Sequence, residues 1–351
     1  MKIKIDAIDT LFFKDGKPFA MGEENWANGI FPPAPSVFYG ALRTLYFSKH
    51  LDLLSKANKD DDPTLNLKIK GIYFFIDDNL FLPAPADLVT DVQKIDDDTL
   101  PLYKLSLTDK PAISNYQLDR FLFNSTNLKV EKPQEDVLLG LSYFNSYLSG
   151  DFNKLPAVKL SKYITIEPKI GIGRSNITKS AAESMLYRVG MRRLEKNGLK
   201  ISFVIDFNGL DVESKGLLKL GGEGKAACFK SIVDELSISK PQLTSNIVKL
   251  YLLTPSIFKN GSLPDLEKPL FKKYNMKLIA AAVPGFKSIG GFDMESNKPK
   301  PMYRAVKEGS VYYFTYEGDA QTLVDDFYLN SISDYNLDKL GFGITLAGNV
   351  I

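Results

Sequence analysis

The pattern that most constrains this chain is the alternation on either side of Asn197-Gly198. Met185, Tyr187, Val189 and Met191 take every second position before it, and Leu199, Ile201, Phe203, Ile205 and Phe207 do so after it. Period two marks a strand with one buried face, and Asn-Gly suits the two left-handed residues of a tight hairpin turn. A hairpin is therefore expected, although Ser180 and Glu183 have capping-box spacing. Gly190 also argues against a helix there, at a cost of about 1 kcal/mol. With the apolar row on one face, Arg188, Gly190 and Arg192 fall on the other. A glycine between two arginines fits a surface approached by another backbone; a solvated outer face is the alternative.

The remaining elements follow in order. Ile3, Ile5 and Ala7 alternate with Lys2, Lys4 and Asp6, which predicts a first strand. After Pro32, Pro33 and Pro35, the residues Val37, Phe38, Ala41, Leu42, Leu45 and Tyr46 recur at helical spacing. Leu65 to Ile76 reads as a strand, and Asp77-Asp78-Asn79 as its turn. Phe229, Ile232, Val233 and Leu236 predict a second helix beginning near Ala226. Strand, helix, hairpin and helix make most of a βαββαβ unit. Strands near 247–253, 277–283 and 310–316 and a helix near 320–328 make a second set after Pro241. The expected fold is α+β, with two tandem ferredoxin-like domains, 1–240 and 241–351. Residues from about 83 to 162 are rich in Asp and Pro without sustained periodicity, and are expected to form a surface insertion in the first domain, with short helices near 137–148.

Immediately before the expected hairpin lies EPKIGIGRSNITKSAAESMLYR, Glu167 to Arg188. Read as a turn, Gly171 and Gly173 would let main-chain N–H groups converge on an anion oxygen. Lys169, Arg174 and Lys179 would add charge, and Ser175 and Thr178 hydroxyls. Of seven arginines in the 351 residues, Arg174, Arg188, Arg192 and Arg193 fall within twenty positions. Arginine is suited to bidentate phosphate contact and to base stacking. The segment lacks the third glycine of a dinucleotide fingerprint, and GGEGKAA, Gly221 to Ala227, lacks the spacing and Ser/Thr of a P-loop.

The formal charge of +2 conceals segregation, because 44 basic residues nearly balance 42 acidic ones. Residues 167–200 hold eight Lys/Arg against three Glu, whereas 87–98 hold five Asp and one Lys. One basic face on a near-neutral body is expected. One cysteine, Cys228, and one histidine, His50, exclude an internal disulfide and a structural zinc site built from those residue types. No metal or cofactor is expected. No apolar run is long enough for a membrane helix, and the alternating MKIKIDAID lacks a signal-peptide core, so a cytoplasmic location is expected.

Six blocks then carry a resemblance. They are DTLFFKDGKPF (9–19), FPPAPSVFYGALRT (31–44), the Glu167–Arg188 segment, LGGEGKAA (220–227), GGFDMESNKPKPMYRAVKEGSVYYF (290–314) and the terminal GFGITLAGNVI (341–351). In this order they resemble the third subunit of the type III-B CRISPR Cmr effector complex, of the RAMP superfamily. The resemblance implies a non-catalytic subunit that holds the repeat-derived 5′ tag of the guide RNA. The implied partners are the large polymerase-palm subunit and the backbone RAMP subunits. Implied RNA contacts are Ser36, Arg43, Lys169, Gly171, Gly173, Arg174, Lys179, Arg188, Arg192, Lys225, Gly341 and Gly343. Lysine at Lys14, Lys17 and Lys225, where the family often has arginine, keeps the charge but loses the planar fork.

Two other function classes stay open. Related RAMP ribonucleases use a histidine near the first helix, which makes His50 the candidate for an RNA-processing enzyme; a surface role at a helix end is the plainer reading. A scaffold without RNA contact is the other. Trp26, the single tryptophan, stands in a polar loop and is expected to anchor a partner subunit or RNA.

Overall fold

The computed structural model describes residues 1–14, 26–27, 29–95, 97–109, 118–134, 136–174, 178, 180–232, 236–293 and 297–350; at 26–27, 173–174 and 181–187 only the backbone is described. The chain is a mixed α/β protein with a large antiparallel sheet and few helices. Its labelled strands begin with β1 (Lys2–Ala7), the short β2 (Trp26–Ala27) and β3 (Lys68–Ile76). Then come β4 (Thr165–Arg174), β5 (Ala181–Arg193), β6 (Ser202–Asn208), β7 (Lys215–Lys219) and β8 (Ala226–Ser231).

In the large sheet the order β7-β8-β1-β6-β3 is followed by six strands from residues 79–159. Counting β1, β3, β6 and β8 as strands one to four gives the order 4-1-3-2, all antiparallel. Helix α1 (Pro35–Lys49) covers this sheet. Proline at its first position has its ring already set for the helix, and Phe38, Ala41, Leu42 and Leu45 form the buried stripe at i, i+3, i+4, i+7. Phe38 meets Phe203 of β6 edge to face at 5.1 Å. Each large side chain of the stripe contributes about 2 kcal/mol by burial.

Three sequence expectations change here. The helix at Ala226 is instead β8: Ala227 and Phe229 are buried while Cys228 is exposed, which is period two, and pairing with β1 and β7 satisfies both ladders. The residues 83–162 are no surface excursion. Their strands extend the main sheet and bury Leu100, Leu102, Leu138, Leu139 and Ala157 in its core, and the helix α2 (Leu141–Ser149) follows a strand at Val137–Gly140. Finally, Asn197 and Gly198 do turn with positive φ, 53° and 79°, but the hairpin they close is only Glu195–Lys196 with Leu199–Lys200. The long partners differ: β5 pairs with β4, and β6 with β1 and β3. The Asp77-Asp78 turn is as expected, with φ of 46° and 61°.

The C-terminal half contains β9 (Ile247–Leu252), α3 (Pro269–Lys273), β10 (Lys277–Ala282), β11 (Phe286–Ile289), β12 (Tyr303–Val306), β13 (Val311–Thr315), α4 (Ala320–Phe327) and β14 (Thr345–Asn349). Its sheet order β10-β13-β9-β14 is again 4-1-3-2 read from the other edge. Alternation along β9 and β13 divides the core. Val248, Leu250, Leu252, Tyr312 and Phe314 pack under α3 and α4 with Phe271, Leu323 and Phe327, while Tyr251, Val311 and Tyr313 join the core of the N-terminal half. A polar cluster lies in that junction. Asp87 accepts hydrogen bonds from Tyr147 (2.9 and 3.0 Å) and Tyr313 (2.6 Å), and Lys249 Nζ lies 3.6 Å from the centre of the Tyr147 ring.

Candidate nucleic-acid interface

Lys169, Gly171, Gly173, Arg174, Arg188, Gly190 and Arg192 lie in a separate three-stranded sheet, β4-β5-β2. Gly171 and Gly173 are not a turn: both belong to the extended β4, where Gly171 faces Tyr187 across the ladder. The physical reason is that Ile166, Ile170 and Ile172 already alternate with Thr165, Glu167, Lys169 and Gly171 at strand period. Register runs from Thr165↔Arg193 to Ile172↔Leu186, then shifts to Arg174↔Ala181. The short β2 adds in parallel to β5, setting Trp26 opposite Arg188 and Ala27 opposite Val189. Lys179 and Ser175 lie outside the described residues, as does the side chain of Arg174.

The two faces of this ribbon differ. On one, Val189 and Met191 are buried against Phe12, as their alternation requires. On the other, Ile166, Ile170 and Ile172 are each more than half exposed, and Arg188, cross-strand partner of Ile170, is exposed too. Gly190, read as an opening for another backbone, is instead buried opposite Pro168. Arg192 is half-buried at the base, where its N–H and C=O bond to Leu11 at 2.7 and 2.8 Å, and burial lowers its guanidinium pKa.

Three cations around this base are matched by carboxylates. Lys169 pairs with Glu223, Lys225 with Asp9 at 2.7 Å, and Arg193 with Glu167 and, at 3.4 Å, with Asp9. The hydrogen bond from Lys225 holds the Asp9 carboxyl below its ordinary pKa, and that from Arg193 does the same for Glu167. Sequence reading weighed the cations and missed these acidic partners; Glu167 was visible at the head of the same segment. No carboxylate among the described residues pairs with Arg188. The glycine loop 220–225 closes the base: Gly222 N–H donates to Phe12 O at 2.8 Å, and Gly221 has φ +81° with no room for a Cβ beside that oxygen.

The other singled-out residues lie elsewhere. Arg43 donates to Thr64 Oγ1 (2.8 Å), Asn58 Oδ1 (3.0 Å) and Asp62 Oδ2 (2.5 Å), so it clamps the 58–64 loop. Ser36 is half-buried in the first turn of α1. Gly341 and Gly343 are left-handed glycines pressed against Ile69 and against Ser333 and Ser256, and Phe342 between them packs with Ala34 at the entry to α1. Ser36, Gly341 and Gly343 thus flank one buried cluster that holds both Ala34 and Phe342. His50 is exposed, stacked on Tyr46 at 4.5 Å, in a cleft with Asp211 and Glu213. Among the described residues, no three His, Cys, Asp or Glu side chains are grouped to hold a metal ion.

A family model described as CRISPR-associated protein (Cas_Cmr3) matches residues 3–350, nearly the whole chain. The chain belongs to the Cas_Cmr3 family. No curated protein sequence matches it. Two solved structures resemble this Cas_Cmr3 chain in fold, both from the Type III-B Cmr-beta bound to cognate target RNA. One, which also holds AMPPnP, has a TM-score of 0.52 at 17% identity, covering 93% of this chain and 88% of its own. The other has a TM-score of 0.52 at 18% identity, covering 89% and 86%. No helix among the described residues is long and apolar enough to cross a membrane.

Proposed function

We propose that this protein is a non-catalytic RNA-binding subunit of a type III-B CRISPR effector complex. In this reading it holds the repeat-derived 5′ tag of the guide RNA and docks the large polymerase-palm subunit and the backbone RAMP subunits, in the cytoplasm and without a cofactor. The observation that carries it is Arg188: an exposed arginine without a carboxylate partner among the described residues, near a base where Lys169, Arg193 and Lys225 are each paired. Arginine so placed is available for phosphate or base stacking. Gly171, Gly173, Arg174 and Arg192 complete this contact along the same ribbon, with Lys169 and Lys225 at its edge; Lys179, outside the described residues, belongs to the same proposed contact. Ser36, Gly341 and Gly343 form a second backbone contact, and Arg43 supports it from the loop it clamps.

The two 4-1-3-2 sheets support a reading of the halves as two copies of one βαββαβ unit, the first having β7 in place of its second helix. Family membership and the RNA-bound complexes of the structural relatives support the ligand class. No catalytic role is assigned to His50; repeat-RNA cleavage that is lost in His50→Ala would reverse that assignment.

Binding of tagged guide RNA to complexes carrying Arg188 or Arg188→Ala, measured across a salt series, tests the site. Losing one phosphate contact to a single strand lowers the slope of log K against log salt by about 0.7. Equal affinity and slope in the two proteins contradict the assignment.

A further inference from the structure

The C-terminal half carries a second ribbon. β11 pairs with β12 in the register Phe286↔Val306, Lys287↔Ala305, Ser288↔Arg304, Ile289↔Tyr303. Alternation sends Lys287, Ile289 and Ala305 inward, where Ile289 and Ala305 are buried and Lys287 pairs with Glu308. Phe286, Ser288 and Arg304 face outward and are exposed. Arg304 is diagonal to Phe286 on this face, the relation in which long side chains reach each other across a ladder. Its Cζ stands 3.4 Å from the centre of the Phe286 ring, at stacking distance. One planar face of the guanidinium is thus backed by the ring. Beyond the stack the chain continues through Gly291, where Lys300 N–H donates to Gly291 O at 2.9 Å. Phe292, Lys298, Lys300 and Met302 are exposed there.

We propose that this outward face is a second contact surface for single-stranded RNA, with the Arg304–Phe286 stack receiving a base and Lys298 and Lys300 receiving phosphates. Charge selects the occupant. Lys300 and Arg304 have no carboxylate partner among the described residues, while Lys298 stands opposite Asp293 in its ladder; single strands are held by cations that follow the backbone together with flat groups on which bases stack. Protein contacts also favour aromatic residues, Met and Arg, as at Phe286, Phe292, Met302 and Arg304, but they deplete lysine; Lys298 and Lys300, exposed among these side chains, favour RNA. The surface is separate from the β4–β5 ribbon and does not depend on it.

The test uses the full chain and a short fluorescent uridine-rich RNA, with anisotropy read across a salt series. Arg304→Ala and Phe286→Ala each weaken binding about tenfold, the effect of losing one stacked base. Arg304→Lys keeps the salt slope of the parent without recovering the affinity. Lys298→Gln with Lys300→Gln lowers the slope by about 1.4; both side chains are exposed, so this variant remains informative if a stack variant misfolds. Arg188→Ala, measured in parallel, separates the two sites. If Arg188→Ala weakens binding while the ribbon variants equal the parent, this proposal falls and the first site stands; if the reverse holds, the first site falls. A parent chain that binds no RNA at low salt overturns the proposal. So do ribbon variants that bind RNA normally but lose association with other subunits, an outcome that makes the face a protein contact.

Discussion

Trp26 and Arg188 are partner positions in the parallel pairing of β2 with β5. The single tryptophan of the chain is therefore level with the exposed arginine proposed to meet RNA. RNA bound at Arg188 should change the tryptophan emission on titration, and Arg188→Ala should shrink that change at equal RNA. Emission that stays constant while RNA saturates the protein places the ligand elsewhere.

Gly221 and Gly224 belong to one loop but face different surroundings. A Cβ on Gly221 would lie 2.6 Å from Phe12 O at φ +81°, whereas Gly224 at φ +65° has open space around it. Gly221→Ala should lose about 3 kcal/mol and Gly224→Ala about 1 kcal/mol, because both carry the left-handed cost and only the first adds a backbone clash. Denaturant unfolding of the two variants checks the order; equal losses contradict the docking of this loop on Phe12.

Arg43 and Asp62 clamp the 58–64 loop and should show their effect in stability. Burial alone would raise the Asp62 pKa, but hydrogen bonds from Thr64 and Asn58 and the charge of Arg43 outweigh it and hold it below the ordinary value. A depressed carboxylate contributes stability above its unfolded pKa and loses it as pH falls through the folded one. Arg43→Ala should cost about 2 kcal/mol at neutral pH and move acid unfolding to higher pH. An unchanged acid limb in the thermal melts would show that the clamp is inert.

Lys249 carries the opposite sign. Burial lowers its pKa to about 8, against the attraction of Asp87. Between pH 8 and 10.5 the unfolded chain binds more protons than the folded one, so stability rises with pH there. The gain is about 3 kcal/mol over that window. Lys249→Met should remove this rise, so that its stability relative to the parent falls as pH climbs from 8 to 10.5. Parallel pH profiles would contradict the lowering of the Lys249 pKa by burial.

The sequence was most legible where one pattern had one structural meaning. The proline before Phe38, Ala41, Leu42 and Leu45 announced α1, and Asp77-Asp78 announced its turn. It misled where two periods shared the same residues. Phe229, Ile232 and Leu236 fit a helix, yet Ala227 and Phe229 fit a strand, and open ladders on β1 and β7 decided in favour of the strand. Gly171 and Gly173 drew attention as a turn because of what glycine permits, while the isoleucines beside them already had strand spacing. Which cations stay available was not legible at all, since Lys225–Asp9 and Lys169–Glu223 join positions far apart in the chain. The same distance hid the Arg304–Phe286 stack, which only the β11–β12 register creates.

The central claim is that guide RNA lies along the β4–β5 ribbon. Photocrosslinking of guide RNA with a photoreactive 5′ tag in the assembled complex, followed by peptide mapping of this subunit, tests it most directly. Crosslinked peptides should come chiefly from residues 165–193. Crosslinks that fall elsewhere on this subunit, with none in that stretch, would contradict the account.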